Sequence, residues 1–232
     1  MRKIIGICGL INSGKDTAAD FLCENYGFRR DSFAATLKDV VSVVFGWDRQ
    51  LLEGRTSEAR AWREQVDTWW ADRLDIPHLT PRWILQYWGT EVCRGAFHDD
   101  IWISCLESKL NKTTDDIVIT DVRFPNEIAA IRRSGGIIVR ISRGADPEWF
   151  VTAVLANNGD KDSLQKLVDM KIHASERSWA GYPLDSIIEN NSTLEQFHMQ
   201  IATLVENLEL DPPAAKANLA LEVCVDNWHK LI

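Results

Sequence analysis

KIIGICGLINSGKDT, residues 3–17, is the stretch on which the fold turns. Lys3 to Cys8 is a short isoleucine-rich run bounded by glycine, and such a run reads as a strand buried on both faces. Gly9, Gly14 and Lys15 then match G-x-x-x-x-G-K, and Asp16 to Tyr26 carries helical spacing through Ala18, Phe21 and Leu22. A chance match in a loose glycine loop would lack this context of strand before and helix after. A polyphosphate needs several N–H donors converging on one point. Glycines let the loop curl its amides inward, and the helix beginning near Lys15 adds the positive end of its dipole. Lys15 is then the mobile charge for the outer phosphates, flanked by Asn12 and Ser13 in the loop. The next position, commonly a Ser or Thr that holds Mg²⁺, is Asp16, with Thr17 one place later. That departure argues against an ordinary GTPase or motor ATPase and suits those nucleotide kinases that rely more on phosphates and water as metal ligands.

The 232 residues allow one large core, or a core with an inserted subdomain. With 45% hydrophobic and 26% charged residues the composition is that of an ordinary globular protein. A net charge of −8 without a basic stripe argues against stable nucleic-acid binding. Cys8, Cys23, Cys93, Cys105 and Cys224 include no C-x-x-C pair, which predicts reduced thiols in a cytosolic setting. Neither a secretory leader nor a run of membrane-spanning length is expected.

Working outward, 28–32 reads as a short strand and 33–45 as a helix with Leu37, Val40, Val41 and Val44 on one face. Lys38 lies off that face, either solvated or in contact with the phosphate of a second substrate. Residues 47–112 show helical patterns and no convincing strand, so they read as a helical substrate-binding insertion between the two parts of the core, 1–46 and 113–210. They hold seven of the ten tryptophans, Trp102 among them, and most of these are expected to pack. Arg60 and Arg63 share one helical face, where they either pair with Glu58 and Glu64 or clamp a phosphate. Thr80-Pro81 opens a helix running toward Gly89-Thr90-Glu91, and Asp99 or Asp100 opens another over 101–110.

The apolar run 117–120 ends in Asp121, as where a strand tip sets a carboxylate beside metal and phosphates. Arg123 follows, and Pro125 and Glu127 start a helix that Gly135-Gly136 ends. Residues 137–141 form a further buried strand, followed by Arg143. Between Arg143 and Met170 the reading expects a helix to about Leu155, then a loop, with lid-like motion and an inert excursion both open. An edge strand at 186–189, a helix over 193–208 and a last amphipathic helix over 214–230, within a C-terminal extension 211–232, complete the chain.

Taken together, SGKDTAADF at 13–21, LKDVV at 37–41, LQYWGTE at 85–91, TDVRFPNE at 120–127 and HASE at 173–176 resemble the phage-type deoxynucleoside monophosphate kinases, a branch of the P-loop nucleoside monophosphate kinase fold. The resemblance implies an α/β sandwich, a parallel sheet flanked by helices with a helical insertion, usually as a homodimer. It also implies transfer of the γ-phosphoryl group of ATP, with Mg²⁺, to a deoxynucleoside monophosphate. On this likeness ATP contacts fall on Asn12, Ser13, Gly14, Lys15, Asp16, Thr17 and Arg143, and acceptor contacts on Lys38, Arg60, Arg63, Gly89, Thr90 and Trp102. Catalysis falls on Lys15, Asp121, Arg123 and Glu127, and the metal on Asp16 and Asp121. A dephospho-coenzyme A kinase and a non-catalytic nucleotide-binding module are the competing readings.

Overall fold

A computed structural model describes residues 2–210 of the chain; the expected C-terminal extension, its helix over 214–230 and Cys224 lie outside the described residues. Five strands, β1 (Ile4–Cys8), β2 (Arg29–Asp31), β3 (Ile117–Ile119), β4 (Ile137–Ser142) and β5 (Ser186–Glu189), form one all-parallel sheet in the order β2-β3-β1-β4-β5. Position in the sheet follows composition. The apolar runs β1 and β3, and β4 with its one buried charge at Arg140, are central and almost wholly buried, whereas RRD and SIIE, which are partly exposed, take the two edges.

In chain order, α1 (Lys15–Tyr26) follows β1, and after β2 come α2 (Ala35–Phe45), α3 (Arg49–Glu53), α4 (Ser57–Arg63), α5 (Thr68–Leu74) and α6 (Pro81–Tyr87). A π-helical stretch, Trp88–Gly95, leads to α7 (Ile101–Leu110). Beyond β3 lie α8 (Pro125–Arg133), then after β4 α9 (Trp149–Asn157), α10 (Lys161–Asp169) and α11 (Ala174–Arg177), and after β5 α12 (Leu194–Leu210). The described residues divide into two compact units, one of 2–32 with 109–210, the other Phe33–Ser108. None of the described helices is long and apolar enough to cross a membrane.

In the first unit, alternation along the strands sends Ile5, Ile7, Val118, Val139 and Ile141 to one face, where Ala18, Ala19 and Leu22 of α1 and Phe197, Ile201 and Val205 of α12 cover them. The opposite face includes Gly6, against which α8 packs so closely that a Cβ there would stand 2.5 Å from Ile131 Cδ1. This is the parallel sheet flanked by helices that the sequence predicts. Strand β3 stops at Ile119, one residue short of the expected end. The region from Arg143 to Met170 contains α9 and an unforeseen second helix, α10, whose N-cap Asp160 accepts from Ser163 N. Ala153, Leu167 and Ala180 are fully buried between them and the segment that follows.

The second unit has its own core, with Leu37, Val41, Phe45, Trp47, Leu52, Leu79, Ile84 and Trp102 buried together. Two of its indoles are tied by their ring nitrogens: Trp47 Nε1 donates to Asp67 Oδ2 (2.7 Å) and Trp70 Nε1 to Phe45 O (3.1 Å).

Candidate active site

Between β1 and α1 the loop 9–14 closes as only glycine permits at two points. Gly9 has φ +142° and a Cβ there would fall 2.4 Å from Ile141 O; Gly14 has φ +106° and a Cβ would fall 2.4 Å from Asn190 Nδ2. That same Nδ2 donates to Ser13 O (2.9 Å), tying the loop to the end of β5. Gly14 is the N-cap of α1 and offers no side-chain acceptor, so the first-turn N–H groups have no cap within the helix. Ser13 is 2% exposed and its Oγ is buried without a partner among the described residues. An orphan hydroxyl, uncapped amides and a cradle that a Cβ would fill are the features a bound polyphosphate would satisfy. Asn12, at φ +62°, is exposed at the crest of the loop.

Lys15 Nζ folds over the loop and donates to Gly9 O (2.9 Å) and Leu10 O (2.6 Å). Burial, with a smaller contribution from the Arg123 guanidinium in the same direction, pushes its ammonium down to a pKa of about 8. Cys8, directly before Gly9, is pushed up to about 12 by burial and stays a neutral thiol, so it gives Lys15 no counter-ion at neutral pH.

Arg123 leaves the tip of β3 two residues after Asp121 and is exposed. Glu127, 4% exposed, accepts from Arg123 N (2.7 Å) and Phe124 N (3.1 Å) through one oxygen. Its carboxylate therefore shapes the turn that carries Arg123; expected in the catalytic cluster, it has the geometry of a positioning residue. The guanidinium itself donates to Ser175 Oγ (3.3 Å), which lies 2.8 Å from His173 Nδ1, and His173 caps α11. The HASE stretch thus supports Arg123.

Asp16, in the first turn of α1, is ion-paired with Arg30 of β2, and Arg30 also reaches Asp20 Oδ1 (3.2 Å) and Thr120 Oγ1 (3.2 Å). Thr17 is exposed in the same turn, and Arg143 is exposed just after β4. Among the described residues no group of three or more His, Cys, Asp and Glu side chains is arranged to hold a metal ion. In the first unit, then, Lys15 and Arg123 converge electrostatically. Ser175 joins them from the HASE stretch, and Arg30 and Asn190 join them without having been singled out from sequence.

In the second unit Lys38 Nζ is bound to Glu53 Oε2 (2.6 Å), and Arg49 holds the other oxygen of that carboxylate. Burial works to raise the Glu53 pKa, but Lys38 and Arg49 more than offset it and leave the carboxyl below its usual range. Arg60 donates to Thr56 O and Arg55 O at the surface. Arg63 lies over Gly54, where a Cβ would come within 2.2 Å of its guanidinium, donates to Leu52 O (3.4 Å) and has its Nε buried without a partner among the described residues. Trp102 is buried, its Nε1 donating to Gly89 O (2.9 Å), which pins the π-helical stretch to α7 and leaves Thr90 exposed beside it. His98 accepts from Asp100 N (3.1 Å) at the approach to α7, a local turn contact.

No protein-family model matches the chain. Over 218 residues it is 28% identical to a protein of Acanthamoeba polyphaga mimivirus named as a deoxynucleotide monophosphate kinase, covering 88% of this chain and 96% of the viral one. Over 183 residues it is 30% identical to the deoxynucleoside-5'-monophosphate kinase of Escherichia phage T5, covering 58% of this chain and 73% of the phage enzyme. A shikimate kinase from Aquifex aeolicus spans 90% of this chain and 99% of its own at 13% identity and a TM-score of 0.44, too loose a likeness to bear on function. With a lysine-bearing glycine loop on a buried strand and 30% identity across 73% of the phage T5 enzyme, the chain belongs to the deoxynucleoside monophosphate kinase family and is a phosphotransferase.

Proposed function

We propose that the chain transfers the γ-phosphoryl group of ATP to a deoxynucleoside 5'-monophosphate. A phosphate oxygen of the acceptor forms the new bond to the γ-phosphorus, the bond to the β-phosphate oxygen breaks, and ADP leaves. The observation that carries this reading is the loop 9–14, with its uncapped α1 amides, orphan Ser13 hydroxyl and Lys15. Reactions of this kind ask a protein mainly to position two reactants and to neutralise oxygens. Lys15 would exchange its two loop carbonyls for the outer phosphates, and Arg123, held by Ser175 and the Glu127 turn, would meet the transferring group. Mg²⁺ bound with ATP would supply further charge neutralisation, with Asp121 orienting it through water.

In this reading the acceptor monophosphate is held in the second unit by Lys38 with Arg60 or Arg63. The Lys38–Glu53 pair supports such a role, since it keeps an ammonium and a carboxylate half-buried for exchange against a phosphate. Water must be kept from the γ-phosphoryl group, so acceptor and turnover are coupled. ADP release measured with ATP and a panel of deoxynucleoside monophosphates should be stimulated at least about tenfold over ATP alone by one or more of them. Stimulation by dephospho-coenzyme A instead, or equal release with no acceptor, would refute the assignment.

Two further outcomes follow from the charges. Arg123→Ala should lower kcat by about 10³, in line with arginines that stabilise a transferring phosphoryl group, while leaving the melting temperature within a degree or so because the side chain is exposed. A loss under about tenfold would remove Arg123 from that role. Lys15 binds phosphate as the ammonium, so an anion beside it raises its pKa from about 8 and draws in a proton. ADP affinity should therefore fall as pH rises through about 8, and calorimetry in buffers of different ionisation enthalpy should show proton uptake near pH 8.5 and no uptake near pH 6.5, where the ammonium is already formed and the ADP phosphate releases its own proton instead. Flat affinity from pH 6.5 to 9.5 would contradict this.

A further inference from the structure

Asp16 poses an electrostatic problem. It sits in the first turn of α1, directly after Lys15, where the helix dipole favours an anion. A tethered carboxylate there competes with a phosphate for the same positive potential and repels it besides. The fold meets this with Arg30, which comes from the edge strand β2 and was marked by no motif. One guanidinium nitrogen pairs with Asp16 and also reaches Thr120 Oγ1 (3.2 Å), while the other holds Asp20 Oδ1 (3.2 Å). Asp16 and Asp20 are four apart on one face of α1, so a forked cation spans both, whereas the single point charge of a lysine would favour one. The Arg30 side chain is only 23% exposed, against 76% for Asp16, which makes the arginine the anchored member of the pair.

We infer that Arg30 is a positioning residue for nucleotide binding: it neutralises Asp16 at the mouth of the phosphate loop and joins the start of α1 to the end of β3, beside Asp121. This rests on the reading of the loop as the ATP site. It deepens that reading by giving Asp16 a charge-masked place in the first turn, and the ligand's affinity then depends on a residue that need not touch it. The chemistry recognised is unchanged, a nucleoside polyphosphate; what Arg30 sets is the potential that meets it.

The test uses the full chain and metal-free ADP, so that magnesium affinity does not enter. Arg30→Gln should weaken ADP binding about tenfold at low salt, and the deficit should shrink at high ionic strength, where charge repulsion is screened. Adding Asp16→Asn to Arg30→Gln should bring affinity back to within about threefold of the original chain, because the charge nearest the loop is gone and Asp20, a turn further along α1, is left as the smaller repulsion. A purely structural role would move the melting temperature without this salt dependence and rescue. Arg30→Lys, which keeps the charge but not the fork, should fall between the two and serves if Arg30→Gln does not fold. Unchanged binding in Arg30→Gln, or a double variant as weak as the single one, overturns the inference. Failure of the unaltered chain to bind ADP would instead overturn the assignment of the loop, a separate result.

Discussion

The constraint on which the site depends is the turn from β1 into α1, where a strand with no polar side chain delivers its last residue into a loop that a Cβ would block at Gly9 and Gly14. A backbone amide cannot be aimed by a side chain; it is aimed by the φ and ψ of its neighbours. Two positive-φ glycines, with Asn190 holding Ser13 O from the end of β5, fix those angles. The burial of β1 between β3 and β4 then keeps the loop from relaxing, since moving it would expose Ile5 and Ile7 on one face and Ile4 on the other. The positive end of α1 is thereby supported by the most buried part of the sheet.

Charge is arranged around that turn in a graded way. Lys15 is half-buried, adjacent to the neutral thiol of Cys8 and near Arg123, so its ammonium is destabilised where it waits and gains when an anion arrives. Arg123 is exposed but steered by Ser175 and by the Glu127-bound turn. Arg30 balances the acidic start of α1. Phosphoryl transfer is served by placed cations more than by a strong base, and Lys15 and Arg123 are the cations the proposed reaction would use.

Much of this was legible in the residues because it rests on local rules. Runs such as Ile4–Cys8 and Ile117–Ile119 are apolar on both faces, and Ile137–Ser142 departs from that only at Arg140 and Ser142, a pattern that suits central strands, and the two glycines and lysine of the loop have a fixed spacing. What escaped depended on distance or on detail. Arg30 finds Thr120 ninety residues away, and Asn190 finds Ser13 across 177, so neither leaves a pattern in a short window. The π-helical stretch Trp88–Gly95 reads as a continuation of the helix before it, because i→i+5 bonding such as Ala96 N to Glu91 O has no composition of its own. Helix α10 could have been found: Asp160 caps it, and Leu164, Leu167 and Val168 share a face, but the Asn157–Asp160 turn reads as the start of a loop. For Glu127 and Trp102 the sequence offered residues without their hydrogen bonds, and each proves engaged with backbone.

On the proposed function, the amides at the start of α1 are the ones that take the nucleotide's phosphates. An amide ¹H–¹⁵N spectrum of the full chain titrated with ADP reads this directly. Downfield movement of the Gly14, Lys15 and Asp16 amides, with the largest changes confined to residues 9–17 and their contacts at Asn190 and Arg123, is the predicted result. Saturable binding that leaves residues 9–17 unmoved while amides elsewhere respond would contradict it.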